Sequence, residues 1–180
     1  MGILESGGGG YGVLLAELRQ DWATVRHLID EALKVAELKQ TEQRPEVAQA
    51  LVNSVALSLH HVYSALEASF ERVARYLDRL VPHGSDWHDE LLRQMALEIP
   101  NVRPALLSTR LKASLDEYRR FRHVVRKGYE HALEWDRMAH LVRELPQLRD
   151  DLEQAFRQFE TYLSSMIEAL SEEGPGSAGG

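Results

Sequence analysis

A single apolar series constrains this chain more than any other feature. Leu51, Val55, Leu59, Val62, Leu66, Phe70, Val73, Leu77 and Leu80 recur at intervals of three and four. The mean spacing is close to the roughly 3.5-residue repeat that lets one long helix pack lengthwise on another, and it is sustained for about eight turns. A second series, Leu14, Leu18, Trp22, Val25, Ile29, Leu33 and Ala36, has the same period. No stretch alternates with period two, and β-branched residues are sparse. A chain patterned in this way cannot pleat one face of a sheet onto a core, so its apolar stripes must be buried helix against helix.

Punctuation divides the pattern into elements. Pro45 sits at the start of the second long helix, where a missing N–H costs little. Val81-Pro82-His83-Gly84 closes that helix, and Ser85 or Asp86 can cap a short one over about 86–97. Pro100 and Pro104 bracket a connection, and Ser108 or Thr109 opens a helix over about 108–132. Pro146 is read as preceding a last helix carrying Leu148, Leu152, Phe156, Phe159, Leu163 and Ile167. The expectation is all-α: an antiparallel bundle of four long helices plus one or two short helices. Of 12 glycines, six lie in the first 12 residues and four in the last seven. Residues 1–10 and 173–180 are therefore read as Gly-rich flexible tails, and 11–172 as one helical-bundle domain.

Composition narrows the chemistry. With no cysteine, disulfide scaffolds, thiolate metal sites and cysteine nucleophiles are excluded. No apolar run approaches the length of a membrane span, and the N-terminus has neither a basic region nor an apolar stretch of signal-peptide type. A cytoplasmic protein without membrane contact is expected. No glutamate is followed by histidine three residues on, which removes a di-iron bundle, and Glu67 and Glu71 are left as a same-face pair. No strand–turn–helix elbow presents a serine and no glycine loop cradles phosphate. His60 and His61 point about 100° apart on one helix and cannot chelate one metal together. No metal or other cofactor is expected.

Charge is unevenly placed. The net charge is −7, yet Arg103 to Lys127 holds eight Lys/Arg against Asp116 and Glu117, about +6 in one segment and about −13 elsewhere. Such separation admits an anionic ligand despite the acidic total. On a helical wheel Leu111, Leu115, Tyr118, Val125 and Tyr129 form one stripe, and Arg122 falls inside it. Arg119, Arg122 and Arg126 form a ridge at its edge, and His123, Lys127 and His131 form another further round. A guanidinium on an apolar stripe needs a partner. It can pair with an acid in the bundle, snorkel to the edge, or face a pocket or subunit interface that receives an anion, and phosphate suits its fork. Glu134 and Asp136 are the acids read as partners of Arg122 or Arg126. Trp22, Trp87 and Trp135 are read as packing aromatics. Gly128, costly inside a helix, marks a close approach or a local break.

The run from Tyr118 to Tyr129, Tyr-Arg-Arg-Phe-Arg-His-Val-Val-Arg-Lys-Gly-Tyr, followed by Leu133-Glu-Trp-Asp136, resembles the HepT-like branch of the HEPN ribonuclease-toxin superfamily. Leu59-His-His-Val-Tyr63, Leu66-Glu67, Phe70-Glu-Arg-Val-Ala74, Trp87-His-Asp-Glu-Leu91 and Ile99-Pro100 with Arg103-Pro104 are similar to it as well, so the likeness spans about residues 45–145. The resemblance implies a helical homodimer whose motif helices meet near the two-fold and form a composite, metal-independent endoribonuclease site. It makes Arg122 the motif arginine, His123 the polar residue after it, and Tyr129 the tyrosine that a minimal nucleotidyltransferase antitoxin modifies with AMP. Arg119 and Arg126 would bind RNA.

One position departs from the family pattern: Lys127 stands where the motif carries histidine. Metal-free RNA cleavage needs a proton acceptor, a proton donor and a cation for the phosphorane, and histidine is suited to the proton work near neutrality. An ordinary lysine is a fixed cation there. Three readings of Lys127 follow: a binding-competent but weakly catalytic or inactive protein, transfer of the proton role to His123 or His131, or an engineered or strain-specific change. A function of another class is a non-catalytic helical protein whose arginine ridge docks the nucleotidyltransferase or another acidic partner.

Overall fold

The structure is a computed structural model that describes residues 7–127 and 133–172. Five α-helices run in the order α1 (Gly7–Thr41), α2 (Pro45–Val73), α3 (Trp87–Met95), α4 (Thr109–Lys127) and α5 (Ala139–Glu172). Four are long and α3 has nine residues, so the expected bundle of four long helices with a short one is what the chain forms. No strand occurs among the described residues; an isolated bridge joins Ile99 to Arg103.

The connections explain the directions. Only three residues separate α1 from α2, and a link that short forces neighbours to run antiparallel. Arg72 near the end of α2 accordingly reaches Glu17 and Asp21 near the start of α1. Along α1 and α5 the pairs Arg19–Glu160, Trp22–Phe156 and Asp30–Arg149 run in opposite senses, so these two are antiparallel as well. Tyr118 donates its hydroxyl to the Leu141 carbonyl at 2.8 Å, and Arg110 approaches Asp151, which sets α4 antiparallel to α5. Most of both long apolar series lies inside, but Leu80, beyond the helical turn that ends at Asp78, is exposed. Val25, Ile29, Val55, Leu66, Phe70, Leu152 and Leu163 have no exposed surface. Trp22 stacks on Phe156 with ring centroids 5.3 Å apart, a packing aromatic as the sequence suggested.

The element ends follow local chemistry. Pro45 occupies the first turn of α2. Ser108 caps α4, its Oγ accepting the Leu111 N–H at 3.1 Å. Asp86 stands at the N-cap of α3, but through its backbone carbonyl and not its side chain. After Val73 the helix widens into a π-helical turn, Ala74–Asp78, and ends where Arg79 adopts a left-handed φ of 56°. That wider turn re-aims Asp78 into the protein (described below).

Two boundaries differ from the sequence reading. α1 begins at Gly7, inside the stretch 1–10 assigned to a tail. The last helix begins at Ala139, before Pro146, which lies within it. A proline there removes the hydrogen bond to Val142 and crowds that carbonyl. The helix continues because Leu141, Val142, Leu145 and Leu148 are all buried on one stripe, and burial outweighs the local penalty. Pro146 itself is exposed. Pro146→Ala is therefore expected to stabilise the protein by about 2 kcal/mol, the helix gain less the unfolded-state entropy, and a thermal melt should rise by several degrees.

Candidate functional site

One cleft lies between α3 and α4. Behind it, α2 presents Tyr63, Ser64 and Glu67 to Arg122 from adjacent turns. α3 contributes His88 and Asp89, which its buried Leu91, Leu92 and Met95 turn away from the core. α4 contributes Arg119, Arg122, His123 and Arg126. The cleft is open, has a volume of about 590 Å³, and is lined by five arginines against three carboxylates.

Arg122 is its centre. Its side chain keeps 14% of its surface, so it is neither in open solvent nor sealed away. Nη2 lies 3.1 Å from Glu67 Oε1, Nη1 lies 3.3 Å from Glu67 Oε2, and Nε donates to Ser64 Oγ at 3.1 Å. Nε and Nη1 each donate a hydrogen bond to α2, and Nη2 completes an ion pair with the same carboxylate. The guanidinium also sits 5.9 Å from the centre of the Tyr63 ring. Of the readings open to an arginine on an apolar stripe, two hold together: it pairs with an acid of the bundle and it faces a cleft.

Glu67 is the acid, not Glu134 or Asp136. Glu134 pairs locally with Arg137 in the turn that precedes α5. The Glu67 side chain retains 5% of its surface. Burial pushes its carboxyl above the usual range, while Arg122 and His88 pull the other way. Its Oε2 also meets His88 Nδ1 at 2.5 Å. Burial, with the charge of Arg122 second, lowers the His60 imidazole below its ordinary value, and His60 Nδ1 is a buried atom without a hydrogen-bond partner. Burial likewise raises the Tyr63 hydroxyl, with Glu67 adding to the effect.

The remaining predicted residues divide. Arg119 lines the cleft but is already held by Asp116 at 2.7 Å on its own helix and by Asp89 of α3 at 3.4 Å. His123 and Arg126 are exposed on the same wall. Lys127 is the last residue of α4, and its side chain is not among those described. Tyr129 and His131, with Gly128, lie outside the described residues. Arg103, counted with the basic segment on sequence grounds, has no part in the cleft. It is 3% exposed and bound to Asp78 on the far side of α3.

Sequence reasoning missed the roles of Glu67 and His88. Glu67 lies within the apolar series of α2, four residues after Tyr63 and three before Phe70. The test applied to Arg122, a charge on an apolar stripe, would have found its partner. His88 carried no such signal, since only the tertiary fold brings α3 over α2.

Comparison with curated proteins and with solved structures gave no match. The model of the family described as HepT-like protein matches residues 54–163, which is more than half of the chain and includes α3, α4 and the part of α2 that holds Arg122. The fold, the cleft and the match agree, and the chain belongs to the HepT-like family.

Proposed function

We propose that this protein is the toxin component of a bacterial toxin–antitoxin pair, a homodimer that binds RNA at the cleft described above and cleaves it without a metal ion. The observation that carries the reading is Arg122: a guanidinium fixed at both ends by Glu67 and Ser64 on the wall of an open, arginine-lined cleft. Donors held in place before the reaction stabilise charge that develops on phosphorus at no cost of reorganisation. Arg126, and Arg119 beyond its ion pairs, steer the strand, and His123 stands on the same wall for proton transfer. Lys127 replaces the motif histidine and supplies a cation. Tyr129 is the acceptor of AMP from a nucleotidyltransferase antitoxin, the kind of partner the family implies. Exposed Val124 on α4 supports a contact between two copies along the motif helix. No helix of the described residues is long and apolar enough to cross a membrane, and the cytoplasm is the compartment in which such a pair would act.

A second reading is a non-catalytic docking protein. One observation favours it: the Arg122 fork and Arg119 are already answered by Glu67, Asp89 and Asp116. Purified protein mixed with single-stranded RNA in excess chelator separates the two. Cleavage with a dimer in sedimentation supports the toxin. Intact RNA, with no salt-dependent RNA retention and a stable nucleotidyltransferase complex, supports the docking protein.

A further inference from the structure

The position of Lys127 leaves the proposed reaction without the motif's proton acceptor. The structure places another histidine at the same arginine. We infer that His88, oriented by Glu67, is the general base of the Arg122 cleft; this rests on the ribonuclease reading above.

The geometry is that of a carboxylate–imidazole pair. His88 Nδ1 lies 2.5 Å from Glu67 Oε2, and Arg122 Nη1 approaches the same carboxylate oxygen at 3.3 Å. With Glu67 taken as the carboxylate that pairs with Arg122, it accepts, and the hydrogen is assigned to Nδ1. The 3.4 Å approach of Arg122 Nη1 to Nδ1 is then a contact and not a hydrogen bond. The unprotonated Nε2 is left as the basic atom, and no partner occupies it among the described residues. His88 lines the cleft and its side chain keeps 21% of its surface, so it is both reachable and held. The Trp87 ring lies against it, with centroids 3.7 Å apart.

This arrangement does what the reaction needs. Nε2 takes the proton of a ribose 2′-hydroxyl as that oxygen bonds to the adjacent phosphorus. The phosphorus–O5′ bond breaks, and the departing oxygen receives a proton from protonated His123 on the cleft wall. The products are a 2′,3′-cyclic phosphate and a free 5′-hydroxyl. Glu67 stabilises the imidazolium formed, and Arg122 spans Glu67 and the phosphate, coupling base and phosphorane through one fork. The charged groups in contact with His88 are Glu67 from α2 and Arg122 from α4, and Asp86, Asp89, Glu90, Arg93, Arg119, Arg120, His123 and Arg126 line the same cleft.

The test is the rate of cleavage of a fluorescent single-stranded RNA across pH 5–9. It compares the full chain, His88→Ala, His88→Ala with added imidazole, Glu67→Gln and Lys127→His, with RNA affinity and melting temperature measured for each. The full chain is expected to cleave. His88→Ala should lose a hundredfold or more with RNA affinity within threefold, should lose the acidic limb of the profile, and should regain activity with imidazole. Cleavage by His88→Ala at the full rate overturns the dyad and leaves the ribonuclease reading standing. A loss that imidazole does not restore, with the acidic limb unchanged, reduces His88 to a packing role and overturns it too. If neither the full chain nor Lys127→His cleaves RNA, the ribonuclease reading falls and takes the dyad with it.

Discussion

Replacing Asp78 with alanine is expected to cost about 3–5 kcal/mol of folding free energy, because it strands a guanidinium that is out of reach of water. The Arg103 side chain has no exposed surface and Asp78 keeps 3%. Every N–H of the fork is used. Nε and one Nη2 hydrogen go to the two Asp78 oxygens at 2.6 and 2.8 Å, and the other Nη2 hydrogen goes to the Gln94 carbonyl. Nη1 divides between the Leu97 and Pro104 carbonyls, both at 3.1 Å. Gln94 adds its amide to Asp78 at 2.6 Å. One ion pair thus joins the π-helical turn after α2, the end of α3 and the connection to α4. The loss would consume a large part of the roughly 5–15 kcal/mol that holds a domain folded. Urea denaturation should show the midpoint falling in Asp78→Ala and in Arg103→Ala. The double replacement Asp78→Leu with Arg103→Met should recover much of it, since apolar groups of similar volume often match a buried pair. If the single variants melt within about 1 kcal/mol of the parent, the pair is not the anchor described here.

The second large effect concerns activity. Arg122→Ala should lower RNA cleavage by about 10²- to 10³-fold, the usual consequence of removing one preorganised donor to a developing anion. Arg122→Lys should recover less than a tenth of the parental rate. An ammonium is a point charge that cannot span both Glu67 oxygens and Ser64 as the planar fork does. Both variants leave Glu67 short of its partner, so melts must accompany the rates and cleavage must be compared well below the transition. In bacteria, induced growth arrest should disappear with Arg122→Ala. Arrest that persists would remove this arginine from the toxic site.

How much of this was legible beforehand depends on the distance over which a residue acts. The α2 series and its partner on α1 were plain, because a helix stripe is a local property repeated many times. The helix around Pro146 was misjudged because a single strong breaker was weighed against a local pattern, when the four buried residues Leu141, Val142, Leu145 and Leu148 decide the matter in the assembled bundle. Arg122 was found by an argument that needs no structure, a charge where the wheel is apolar. Arg103 was misplaced by the same charge count. A tally of cations along a segment cannot tell which of them is turned inward, and its partner Asp78 is aimed by a π turn 25 residues upstream that no periodicity announces. His88 is the extreme case, since its importance exists only where α3 crosses Glu67.

The Arg122–Glu67 fork has one more effect. A cleft with five guanidinium groups and nothing to quiet them would seize any polyanion in the cell, down to free nucleotides. Here the most enclosed of these cations is already satisfied by the molecule's own acid. A passing anion gains little by touching it, and only a chain long enough to engage the outer arginines at the same time can displace or share that inner grip.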